Sequence, residues 1–146
     1  MLWIKTIVEG LIEMYNTRDV YELLDLLDIT LIRKPLNNNE KGRFFRDIFG
    51  NETIFVSNDL PKNEERLVIA HELGHVIVHT HLTTSYYTES SLLNRDKLEL
   101  EANKFAAELL IPDDIESCIY EGITLQELED ILGVPKEIIK LKFNIE

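Results

Sequence analysis

His71, Glu72 and His75 stand in the run His-Glu-Leu-Gly-His, enclosed by Leu67-Val68-Ile69-Ala70 before it and Val76-Ile77-Val78 after it. A helix that is apolar on all sides is a buried helix. Polar groups carried into a core cost roughly several kcal/mol unless they find partners, so two imidazoles and a carboxylate there need a reason. On a 3.6-residue helix, positions i and i+4 lie one above the other. His71 and His75 can therefore each aim a ring nitrogen at one point, which suits a zinc ion. Glu72 lies roughly 100° further round the helix, off the ion yet close enough to hold a water bound to it. That is the division of labour of metal-assisted hydrolysis, in which two histidines bind and the glutamate acts as general base. The bland alternative is a pair of satisfied core histidines with a chance glutamate between them. The continuous helical stretch from Pro61 to about Thr80 and a carboxylate downstream favour the metal.

A catalytic zinc takes three protein ligands and keeps one open position. His81 stands ten residues after His71, where the elongated HExxHxxGxxH motif puts its third histidine. That motif needs a glycine where this chain has Val78 and a methionine turn downstream, and the methionines here are Met1 and Met14. The remaining candidates are Glu99 and Glu101 on the next long helix. Two helices that share one small ion must approach closely, so the ligand should lie on a stripe of small residues. From Glu99 that stripe is Ala102, Asn103 and Ala106; from Glu101 it is Lys104, Phe105 and Glu108, which reads as mostly solvated. The face argument selects Glu99, with Glu101 as its competitor. His79, one turn past His75, reads as a supporting or core residue. Asn103 is placed to orient the ligand helix.

The elements that must position these residues read as α+β. Residues 2 to 15 and 18 to 27 are amphipathic helices, and a short strand follows from Ile29 to Ile32 before the loop at 35–39. Arg43 to Ile48 and Thr53 to Val56 are strand-like, joined by Phe49-Gly50-Asn51-Glu52 as a hairpin. The sheet is small, antiparallel or mixed, and packs on a zincin-like HExxH helix, with additional N- and C-terminal helices. A polar loop runs from about Leu82 to Ser91, then a helix from about Arg95 to Ile111 ended by Pro112. Thr124 with Glu127 forms a capping box, and Gly133-Val134-Pro135 separates two apolar-periodic turns. The chain reads as a single domain over 1–146, with N-terminal helices and first strand at 1–40, a catalytic core at 41–112 and a helical segment at 113–146.

Fifteen basic against 27 acidic residues give a net charge of −12, which repels phosphate backbones and acidic membranes, so no direct nucleic-acid partner is expected. The lone Cys118 cannot form an internal disulfide, and neither a signal peptide nor a spanning segment is read. The expectation is a cytoplasmic protein. Arg33, Lys34, Lys41, Arg43 and Arg46 make a local basic cluster, read either as a solvated hairpin face or as a dock for an acidic partner. Thr53 to Asn58 is the expected rim on which substrate backbone adds as an extra strand. Tyr86 and Tyr87 are candidate oxyanion donors, against the ordinary reading of loop tyrosines as partial packing.

The HELGH run followed by His79, with Glu99-Leu100-Glu101-Ala102-Asn103-Lys104-Phe105-Ala106-Ala107-Glu108-Leu109-Leu110-Ile111-Pro112 downstream, resembles the ImmA/IrrE family of metallopeptidases. Its second motif reads approximately E-x-x-A-N-x-F-A-x-x-L-L-M-P, with the leading glutamate completing a His-His-Glu zinc site. Here that glutamate falls on Glu99, and Ile111 replaces the usual methionine. The resemblance covers about 40 to 145. It implies a Zn2+ endopeptidase, with His71, His75 and Glu99 on the metal and Glu72 catalytic, that cleaves a partner helix-turn-helix repressor site-specifically. Two other functions compete: a non-catalytic, zinc-containing repressor-binding protein, and a DNA-binding regulator acting through Thr124 to Phe143. Against the last, residues 113–146 carry nine acidic residues and three lysines. The sequence leaves oligomeric state and substrate binding residues unassigned.

Overall fold

The computed structural model describes residues 1–37 and 39–146; residue 38, in the expected loop at 35–39, lies outside that description. Helix α1 (Leu2–Tyr15) ends at Asn16 in the left-handed conformation, with its N–H on the Ile12 carbonyl at 2.7 Å. Helix α2 (Val20–Leu26) begins at Asp19, whose carboxylate accepts from the N–H groups of Tyr21 and Glu22. This side-chain cap meets donors that the first turn leaves unpaired.

Strands β1 (Thr30–Lys34), β2 (Glu40–Arg46), β3 (Glu52–Ser57) and β4 (Thr84–Thr88) form one sheet in the order β1-β3-β2-β4. β1 runs parallel to β3, and the β2–β3 and β2–β4 pairs are antiparallel, so the sheet is mixed. Phe44, Ile54 and Val56 point inward and are fully buried. β4 falls inside the stretch expected to be a polar loop. Its inward-facing residues are Ser85 and Tyr87, so the alternation that marks a half-buried strand carries almost no hydropathy contrast. The position of β3 also corrects the expected rim. It is hydrogen-bonded to β1 on one side and β2 on the other, leaving no free edge, whereas among the described residues β4 pairs only with β2.

Helix α3 (Lys62–Val78) starts one residue after Pro61 and is buried from Leu67 through Val76. It lies between the sheet and α4 (Lys97–Leu110), where the chain closes up at two glycines. A Cβ on Gly42 of β2 would sit 2.3 Å from Val68 Cγ1, and one on Gly74 would sit 3.0 Å from Phe105 Cβ. The small-residue stripe expected on α4 is there: Ala102, Asn103 and Ala106 are all fully buried. Helices α5 (Glu116–Tyr120), α6 (Leu125–Leu132) and α7 (Lys136–Phe143) complete the chain. Thr124 and Glu127 make the expected capping box, and Gly133 takes the left-handed C-cap. The face of α7 carrying the buried Ile138 and Ile139 packs on α4. Among the described residues no helix is long and apolar enough to cross a membrane.

Candidate metal centre

One turn of α3 separates His71 from His75, and the first turn of α4 delivers Glu99 between them. Glu99 Oε2 lies 2.9 Å from His71 Nε2, Glu99 Oε1 lies 3.1 Å from His75 Nε2, and the two Nε2 atoms are 3.2 Å apart. The other nitrogen of each ring is held by a partner that fixes its tautomer. Asn103 donates through Nδ2 to the Ser91 carbonyl at 3.0 Å, which turns its Oδ1 toward His71 Nδ1 at 2.7 Å. That Nδ1 must donate, so Nε2 of His71 carries a bare lone pair.

A longer relay does the same for His75. A carboxylate only accepts, so His79 Nε2, 2.8 Å from Glu101 Oε1, carries the proton of that ring. His79 Nδ1 is then an acceptor and takes a hydrogen bond from His75 Nδ1 at 2.9 Å. His75 Nε2 is left as a lone pair. With both rings neutral, two bare nitrogens and a carboxylate thus face one another, an arrangement that calls for a cation in the middle. Two imidazoles and one carboxylate are the donor set of a divalent transition metal, zinc foremost. The residues fit such an ion.

Glu72 is wholly buried beside this cluster. One oxygen accepts from Ser85 Oγ on β4, while Oε1 has no hydrogen-bond partner among the described residues. Burial pushes its carboxyl up to about 7, against the pull of His75 and Ser85. Tyr87, two residues along β4, lays its buried ring edge-on against His71 at 4.8 Å between centroids; burial raises its phenol well above the ordinary value of 10. Tyr86 points the opposite way, under the guanidinium of Arg43 at 4.3 Å. His81 is exposed and outside the cluster.

One reading of α4 from sequence needs correction. The Glu101 face of α4 is not solvated: Glu101, Lys104 and Glu108 are only 7%, 6% and 3% exposed. Glu108 accepts from Lys142 of α7 at 2.5 Å, and Lys104 donates to the Leu141 carbonyl at 2.8 Å. Partners far along the chain carry those charges into the interior. The basic cluster keeps Arg33 and Lys34 exposed, and most of it is ion-paired: Arg33 with Glu65, Lys41 with Glu64, Arg43 with Glu40 and Arg46 with Glu52. Ser85 was missed altogether, because a strand whose inward residues are Ser85 and Tyr87 gives almost no hydropathy signal.

Comparison with known proteins agrees with this architecture. The model of the Peptidase M78 family, described as an IrrE N-terminal-like domain, matches residues 24–144, and the protein is accordingly a metallopeptidase. An "Uncharacterized immunity region protein 2" of Bacillus phage phi105 is 36% identical over 140 residues, spanning 95% of this chain and 88% of that protein. "Metallopeptidase ImmA" of Bacillus subtilis (strain 168) is 31% identical over 142 residues, spanning 97% and 78%. The chain belongs to the Peptidase M78, IrrE N-terminal-like family.

Proposed function

We propose that this chain is a zinc-dependent endopeptidase that cuts a partner helix-turn-helix repressor at one or a few positions, with His71, His75 and Glu99 as the metal ligands. The observation that carries the metal assignment is the convergence of both Nε2 atoms on the Glu99 carboxylate, while Asn103 and the His79–Glu101 pair engage the other ring nitrogens. The regulatory part draws on the likeness to a phage immunity-region protein and to ImmA. When bound, zinc would supply Lewis-acid activation of a water and of the scissile carbonyl.

The chain's own groups supply the proton handling. Glu72 Oε1 is the free oxygen that takes the proton from the attacking water and later gives it to the leaving amine. Ser85 fixes the other oxygen, so the carboxyl cannot turn away. A carboxyl raised to about 7 by burial is matched to both halves of that task near neutral pH. Tyr87 and the surrounding apolar side chains keep bulk water from the His71 ring. Substrate backbone adds along β4, the strand with a free edge beside α3.

The test is metal analysis of the purified protein together with co-incubation against helix-turn-helix repressors, any encoded beside it first. Stoichiometric zinc and one or few cuts, absent with Glu72→Gln, are expected. Zinc and tight association without any cut would instead establish the non-catalytic repressor-binding role.

A further inference from the structure

Resting on the peptidase reading above, we propose that the cavity beside the metal cluster is a specificity pocket for a lysine or arginine side chain of the substrate, flanking the scissile bond. The cavity has a volume of about 460 Å3, within the range of pockets that hold small ligands. Three of its walls reach the cluster. Tyr87 rests edge-on against His71. Leu67 lies one helical turn before His71, on the same face of α3. Leu92 contributes the carbonyl that shares the Asn103 amide, at 3.4 Å, and Asn103 holds the His71 ring. The cavity thus shares walls with the cluster, and in this proposal a side chain near a peptide bond brought to Glu72 enters it.

The inner walls are apolar, with Leu67, Tyr87 and Val134 buried. The rim is acidic. Glu64, Glu89 and Glu129 surround it with Lys41 as the one basic group on the lining among the described residues, and Lys41 is paired with Glu64. Glu129 accepts from the Lys136 N–H at 2.8 Å, whereas Glu89 is exposed and has no partner among the described residues. The trough continues outward through Lys41, Pro61, Glu64 and Glu89 into a second depression that adds Glu40 and Asp59. An apolar throat below a ring of carboxylates suits a side chain with an aliphatic stem and a cationic head, which buries the stem and leaves the head at the rim. A substrate carboxylate there would meet like charge. The same polarity fits a DNA-binding partner, whose surface must carry lysine and arginine to meet phosphate.

The test uses the full zinc-loaded chain and three fluorescein-labelled peptide libraries, identical except that one fixed position is lysine, leucine or glutamate. Binding is read by fluorescence polarisation on the Glu72→Gln variant and cleavage on the wild-type protein by mass spectrometry. The lysine library should bind roughly five- to tenfold tighter than the glutamate library at low salt, the scale of a few partly screened charge contacts. Glu89→Lys in the Glu72→Gln background should remove most of that difference. Glu121→Lys, the same charge change outside the cavity, should leave it. Thermal unfolding of each variant verifies that the fold is intact.

Equal binding of the three libraries, a leucine preference, or an equal effect of Glu121→Lys would overturn the pocket. Cleavage with no basic residue at a fixed distance from the cut would overturn it too, while leaving the peptidase reading standing. Lysine-selective binding without any cleavage would support the pocket and count against the peptidase reading.

Discussion

The ring of His79 stands 2.8 Å from the carboxylate of Glu101, and both groups are buried. The pair orients the His75 ring, so it acts on the proposed metal centre without being one of the proposed ligands. Outer partners of this kind orient a ligand ring and raise its basicity, and their loss typically costs about 10- to 100-fold in metal affinity. Glu101→Ala and His79→Phe should each weaken zinc binding by about that factor, measured by competition with a chromogenic chelator. Glu101→Gln, which can still accept from His79 Nε2, should recover most of it. Unchanged affinity in all three variants would remove the relay from the account.

Glu99→Ala should do more than weaken the site. It removes one of three protein donors and leaves the two Nε2 lone pairs facing each other at 3.2 Å, so zinc should no longer be retained stoichiometrically through dialysis. Glu72→Gln should retain zinc while cleavage falls by about 10²- to 10⁴-fold, because this carboxylate is assigned to the proton and not to the ion. Loss of metal from Glu72→Gln would mean that the two roles have been exchanged.

Gly74 faces Phe105 across the α3–α4 contact, and a methyl group there would lie 3.0 Å from Phe105 Cβ and 3.2 Å from its ring carbons. The helix propensity of alanine favours the substitution by roughly 1 kcal/mol, but overpacking in a closed core costs about 1–3 kcal/mol. Gly74→Ala should therefore lower stability on balance. Since α4 carries Glu99 and α3 carries both histidines, the same displacement should reduce zinc affinity. Calorimetry and a metal titration on one sample would check both; a more stable variant with unaltered affinity would show that α4 can give way freely.

How much of this was legible depended on how local the cause was. The i, i+4 histidines, the small stripe on α4 and the Thr124–Glu127 cap lie within one or two helical turns, and the sequence displays them directly. β4 was not legible, because Ser85 and Tyr87 face inward for a polar task and break the hydropathy alternation that marks a strand. The buried state of Glu101 and Glu108 was not legible either. It depends on His79 and on Lys142, 22 and 34 residues away, and counting charges on one helix face cannot reveal a partner supplied by another helix. The partners of the basic cluster were hidden for the same reason, since the acids that bind Arg33 and Lys41 are Glu65 and Glu64 at the start of α3.

Glu65 gives a prediction about acid. Its carboxylate accepts from Nε and Nη2 of Arg33, both at 2.9 Å, and from the Tyr21 hydroxyl at 2.7 Å. The Arg33 bonds hold its carboxyl below the ordinary value of 4.5, outweighing burial. A depressed carboxyl adds stability that is fully present above pH 4.5 and is lost as the pH falls through the lowered value. The difference in Tm between the wild-type protein and Glu65→Gln, measured with chelator present, should be largest near neutral pH and shrink steadily below pH 4.5. A difference that stays constant through that range would mean that packing, and not the charge, is what the substitution removes.

Arg43 and Arg46 sit three residues apart on β2, yet a charge reversal should separate them. Arg43 lies over the exposed Tyr86 ring and pairs with Glu40 at 3.1 Å in a half-exposed setting, where an ion pair is worth at most about 1 kcal/mol. Arg46 closes off the end of α3. It donates to the Val76 and Thr80 carbonyls, each at 3.0 Å, and to Leu82, while Nε and Nη2 hold Glu52. Those carbonyls lie at and beyond the helix C-terminus, where a cation is favoured twice over, by hydrogen bonding and by the helix dipole. Arg46→Glu would place a carboxylate against them and beside Glu52, and it should destabilise the fold by several degrees in Tm. Zinc retention should fall with it, because His75 lies in that last turn and His79 caps it. Arg43→Glu should leave Tm, bound zinc and cleavage of the partner nearly unchanged. If Arg43→Glu instead abolishes partner cleavage with zinc still bound, the outer face of β2 is a docking surface for an acidic group.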